Sequence, residues 1–114
     1  MKSRRKRNPA KAHPFKTRVH SWASKVRVKP KQVRVQRMTR KWASCSTGGW
    51  VSFSEDLLSE SRAFQDYVIV HELLHLKVRN HGKLHKSFLS AHLPGWRVLA
   101  TQGQMPRSMR PTKT

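Results

Sequence analysis

The sequence has little negative charge, almost no cysteine and no long apolar run, and each shortage excludes something. Only five of its 114 residues are Asp or Glu, against 25 Lys and Arg, for a net charge of +20. All five acids fall between Glu55 and Glu72, so no carboxylate follows Glu72 and none precedes Glu55. The single cysteine, Cys45, rules out an internal disulfide and any metal site built on several thiolates. No segment approaches the roughly 20 apolar residues of a membrane-spanning helix. The basic start, residues 1–18, has no apolar stretch behind it and does not read as a secretion signal. These features together suggest a cytoplasmic protein of one domain with one modest core. So positive a chain attracts polyanions, and nucleic acid is a candidate partner through the basic arm.

Patterning divides the chain into a basic arm (1–14), a folded domain (15–103) and a flexible tail (104–114). Val19, Trp22, Ala23 and Val26 recur at helical spacing, which predicts a short helix over 17–28 ended by Pro30. From Lys31 the pattern becomes strict alternation through Val33 and Val35, a strand with a charged outer face. Gly48-Gly49 marks a turn before a second strand carrying Trp50, Val51 and Phe53, and the two strands read as a hairpin. Ser61 precedes a long apolar helix over 62–78, with Asn80 and Gly82 as stop signals. A second helix spans 83–92 and is broken by Pro94-Gly95; a short element follows at 96–99.

The chemistry lies in His71-Glu72-Leu73-Leu74-His75. Two histidines at i and i+4 project from one face of a helix and can reach one zinc ion. Glu72 lies about 100° further round, too far to be the natural third ligand but placed to act as general base on a water at the metal. An apolar helix carries two imidazoles and a carboxylate only at a cost unless they are employed. The third ligand follows by elimination, because no carboxylate lies downstream. The candidates are His81, His85 and His92. His81 stands just past the expected helix end and is preferred; His85, one helical turn later, could replace or assist it, and His92 reads as a surface residue. His13 and His20 are assigned no role. An oxyanion would need a further donor, for which His85, Arg79 and Arg97 are in reach of the argument.

Arg40-Lys41-Trp42-Ala43-Ser44-Cys45-Ser46, the Gly48-Gly49 turn, the helix from Tyr67 to Leu76 and Asn80-His81-Gly82 resemble the YgjP-like metallopeptidase family, and in outline the SprT-like and WLM peptidases. The resemblance runs from about Lys29 to Trp96. It implies an α+β, minimal zincin-like fold: a small antiparallel sheet beside an active-site helix, with a second supporting helix. It implies one Zn2+ per chain held by His71, His75 and His81, Glu72 as catalytic base, and a protein or peptide substrate; Trp42, Ser44 and Cys45 become structural residues near the cleft. The chain departs from the family pattern at His85, where an aromatic is frequent, at Ala43, where Gly is usual, and in its shortness. Two other functions fit the charge: hydrolysis of nucleotides or phosphate anhydrides, and nucleic-acid binding with a structural zinc.

Overall fold

In the computed structural model residues 9–104 are described. Residues 1–8 of the expected arm and 105–114 of the expected tail lie outside the described residues. Helix α1 (Pro9–Val26) leads into strand β1 (Gln32–Gln36), strand β2 (Ala43–Cys45) and strand β3 (Trp50–Ser54). A 3-10 turn (Glu55–Ser59) then delivers the chain to helices α2 (Arg62–Leu74), α3 (Lys83–His92) and α4 (Trp96–Gln104).

Helix α1 starts well ahead of the expected helix, inside the stretch assigned to the arm. Its length follows from packing. Phe15, Val19, Ala23 and Val26 fall on one stripe, and all four are buried. Phe15 meets Phe53 edge-on at 5.2 Å between ring centroids. Polar contacts fix α1 against α2: Arg18 donates to Gln65 Oε1 (2.7 Å) and to Asp66 Oδ1 (2.6 Å), and Trp22 Nε1 donates to the same Asp66 oxygen at 3.1 Å.

The sheet corrects the expected hairpin. β3 lies in the centre, parallel to β1 and antiparallel to β2, so the sheet is mixed rather than antiparallel. The turn at Gly48-Gly49 joins β2 to β3, not β1 to β3. Gly49 takes φ +96°, a conformation that favours glycine, and its N–H donates to Ser46 O at 3.2 Å. The alternation seen in the sequence still sets the faces: Val33, Val35, Val51 and Phe53 turn inward.

Ser61 caps α2, its hydroxyl accepting from the Phe64 N–H at 3.2 Å. Phe64, Val68, Ile69, Val70, Leu73 and Leu74 of α2 are buried, so this helix is the spine of the core. It ends earlier than its apolar pattern suggests. His75 is its C-cap, and a short turn, closed by Val78 N–H donating to Leu74 O at 2.7 Å, reverses the chain. Asn80 Oδ1 then accepts from Gly82 N–H at 3.1 Å, an Asx turn that starts α3.

Candidate metal centre and cleft

His71 and His75 stand one turn apart at the C-terminal end of α2, and the reversal after His75 folds His81 back against both. His81 Nε2 lies 2.9 Å from His75 Nε2 and 3.1 Å from His71 Nε2. Three ring nitrogens thus converge on one small volume. Neutral imidazoles have one donor and one acceptor nitrogen each, and three mutually facing nitrogens are better satisfied by a shared cation than by hydrogen bonds among themselves. Nitrogens bound to one tetrahedral zinc at about 2.0–2.1 Å stand about 3.3 Å apart, close to the spacing here. His85, on α3, joins them, and the ligand atoms of all four histidines lie within 4.8 Å of one another. The donor set fits a divalent metal that accepts nitrogen.

The surroundings favour the neutral form of His71, His75 and His85. Burial, with the neighbouring His85, His75 and His81 rings adding to it, lowers His71 to about 3. Burial also lowers His75 and His85. A lone pair is therefore present on each of these rings at neutral pH, as metal binding requires. The far nitrogen of His71, Nδ1, is 3.4 Å from the Tyr67 hydroxyl. With Nε2 turned to the cluster, Nδ1 carries the proton and Tyr67 accepts it, the outer support typical of ligating imidazoles. Tyr67 is in turn held parallel to Trp96, 6.4 Å away.

Glu72 lines an adjoining cleft of about 280 Å³, whose walls also include Lys41, Trp42, Ala43, Phe64, Tyr67 and His71. Burial raises its carboxyl to about 7, while the Lys41 ammonium works in the opposite direction. A carboxyl balanced near neutrality can both take and return a proton. Cys45, half-buried at the end of β2, has its thiol raised by burial and by Glu72.

Of the residues singled out in the sequence, His71, His75 and His81 are brought together here, and His85 with them, while Glu72 lines the cleft that His71 also lines. His92 stands apart, its ring edge-on to Trp22 at 6.4 Å and half-buried rather than free on the surface. His13 and His20 are exposed and are not members of the cluster. Arg79 donates to His75 O at 2.9 Å and Arg97 lies over the Trp96 ring, so two of the three named oxyanion donors have other engagements. Sequence reasoning missed Tyr67 and Lys41. Tyr67 was accessible, since it stands four residues before His71 and therefore on the same helical face.

A helix bearing paired histidines, backed by a small sheet and opening on a cleft, is the architecture of a metallopeptidase. The fold is shared with the metallopeptidase zymogen of Methanocaldococcus jannaschii, jannalysin (TM-score 0.70, 19% identity, covering 77% of this chain and 91% of that one). It is shared equally with the Pyrococcus abyssi zymogen abylysin (TM-score 0.69, 17% identity, covering 87% of this chain and 99% of that one). No curated protein sequence matches the chain significantly. The YgjP-like metallopeptidase domain model matches residues 4–102, and the chain belongs to that family.

Proposed function

We propose that this metallopeptidase cleaves peptide bonds at a single zinc ion held by His71, His75 and His81, with Glu72 as the general base. The observation that carries the reading is the convergence of three Nε2 atoms at the end of α2, next to a cleft that His71 and Glu72 both line. Imidazole donors at this spacing favour zinc over the harder Mg2+ and Ca2+. Zinc held there would acidify a water and polarise the scissile carbonyl. Glu72 would take a proton from the attacking water and pass it to the leaving amine, a double duty suited to a carboxyl raised toward 7. Tyr67 fixes the tautomer of His71.

Substrate binding has a natural track. β2 is an edge strand, paired to β3 on one side only, and Ala43 at its start lines the cleft with Glu72. An extended peptide adding to that edge would lie across the site, bound through its backbone. The aromatic walls, Trp42, Phe64 and Tyr67, suit an apolar side chain of the substrate. Metal analysis combined with a peptide-library digest tests this. Wild-type protein is expected to hold about one zinc per chain and to cleave. Glu72→Gln should keep the metal and lose cleavage by roughly 10²–10⁴-fold, and His81→Ala should lose both. Full cleavage by Glu72→Gln would sink the proposal.

Polyanion contact has its own support. A second cavity, of about 350 Å³, is walled by Arg27, Lys29, Lys31, Lys77 and Arg79 with no acid among its residues. We infer that it and the basic arm together take up a phosphate backbone, which would hold the enzyme on nucleic acid. Binding of a labelled single-stranded oligonucleotide should weaken steeply with salt, and salt-insensitive binding would remove this part of the reading. A reducing compartment suits the single free thiol, Cys45, and on that ground we place the protein in the cytoplasm. No helix among the described residues is long and apolar enough to cross a membrane.

A further inference from the structure

His85 is the one member of the cluster without a task in the mechanism above. It is only 1% exposed, one of three buried polar side chains among the described residues. The other two, Ser54 and Gln65, are employed in binding backbone: Ser54 Oγ donates to Met38 O, and the Gln65 amide donates to Leu58 O and Glu60 O. A buried imidazole needs comparable satisfaction. Its Nε2 lies 3.3 Å from the His71 carbonyl oxygen. A carbonyl can only accept, so that contact puts the proton on Nε2 and leaves Nδ1 its lone pair. A metal-bound imidazole is held in this way, with one nitrogen donating to a backbone carbonyl and the other facing the ion.

Ring placement carries the case further. The six centroid separations among His71, His75, His81 and His85 are 5.1, 4.9, 4.9, 4.5, 4.9 and 5.0 Å. Six nearly equal separations among four points describe a tetrahedron. Four imidazoles on one zinc, with nitrogens at about 2.0–2.1 Å, would set their ring centres about 5.2 Å apart. One ligand atom from each of the four rings lies within 4.8 Å of the others, so a single ion can address the whole set.

We infer that His85 supplies a fourth nitrogen to the metal, so that the resting site is closed by protein and opens when a peptide entering the cleft displaces His85. The inference rests on the three-histidine metal reading and adds a control to it. Displacement is structurally accessible: α3 begins at Gly82 without a side-chain cap, and only His85 and Leu89 of α3 are fully buried. Both could withdraw with a small shift of one short helix.

X-ray absorption at the zinc edge of the full-length wild-type chain is the deciding measurement. Four imidazoles per zinc are expected; three imidazoles and an oxygen would overturn the inference. Cobalt-substituted protein gives a second readout. The wild-type visible spectrum should not change between pH 6 and 9, whereas His85→Phe should gain an ionisation near pH 7 and lose zinc affinity at least about tenfold. Identical pH-dependent spectra for the two proteins would also overturn it. Should His85→Phe not fold, the absorption result on wild type stands alone. A wild-type chain that takes up no stoichiometric metal would bring down the underlying site reading as well, while one zinc on three imidazoles would remove only the role of His85.

Discussion

Glu72→Gln should separate stability from activity, and the size of the effect can be worked from the site. Burial raises the Glu72 carboxyl from 4.5 to about 7 despite the opposing Lys41. Between those two values the folded chain holds a proton that the unfolded chain has released. The stabilisation from this group is therefore fully present below pH 4.5 and is lost as pH rises to 7. At about 1.4 kcal/mol per unit, the loss amounts to about 3 kcal/mol. Glutamine keeps the shape and does not ionise. Bound metal would add positive charge beside Glu72, so the comparison belongs to chelator-treated protein. Urea unfolding from pH 4 to 8 should show the advantage of Glu72→Gln over wild type growing by about 3 kcal/mol across the range.

His71 works in the opposite sense. Its folded value is lowered to about 3, so the unfolded chain takes up the proton first, and stability from His71 is present above pH 6.5 and lost as pH falls toward 3. That contribution is common to both proteins and cancels in their difference. A difference that stays constant with pH to within about 0.5 kcal/mol would refute the reasoning and place Glu72 in contact with water. If the expected divergence appears together with lost cleavage, the carboxylate is kept for its chemistry at the expense of a large share of a small domain's roughly 5–15 kcal/mol of stability.

Three other substitutions probe the supports of the site. Tyr67→Phe removes the acceptor for His71 Nδ1 and should weaken zinc binding by about 10-fold or more in a chelator competition, with the far-UV spectrum unchanged. Arg18→Ala breaks two charge-assisted hydrogen bonds between α1 and α2, and because the pair is only about a fifth exposed it should cost about 1–3 kcal/mol in urea unfolding; no measurable change would mean that α1 is held by its apolar stripe alone. Gly49→Ala places a Cβ at φ +96°, 3.1 Å from Lys31 Cγ, and should lower stability by about 1–2 kcal/mol, read as a fall in Tm.

How much of this was legible in the sequence depended on whether a local signal existed. α3 was bounded correctly because Gly82 and Pro94 bracket it, and the start of α2 because Ser61 caps it. The end of α2 was not, because Leu76 and Val78 continue the apolar period past His75; the helix stops there through a reversal that brings His81 home. Strand direction was illegible for a related reason. Alternation in 32–36 and 50–54 identifies strands and their inner faces but carries no sign of parallel or antiparallel pairing. β2, only Ala43–Cys45, is too short to show a period. The arm concealed α1, since its basic residues cover the exposed face of a stripe whose apolar members, Phe15 among them, are spaced at helical intervals.

The scarcity of acids, first met as an exclusion, also organises the site. With no carboxylate after Glu72, a third ligand had to be sought among the downstream histidines, and the fold brings two of them, His81 and His85, to the same point. Two of the five acids lie on α2 at positions set by the helix's two faces: Asp66 turns outward to receive Arg18 and Trp22, while Glu72 turns into the cleft. α2 thus tethers α1 at its start and presents the reactive groups at its end. The abundant positive charge has no comparable set of carboxylates to neutralise it within the chain. It remains available at the cavity between Arg27 and Arg79, and the last residue of that cavity donates to the carbonyl of His75. Through Arg79 an anion seated in the basic cavity would bear directly on the helix end that carries the histidine pair.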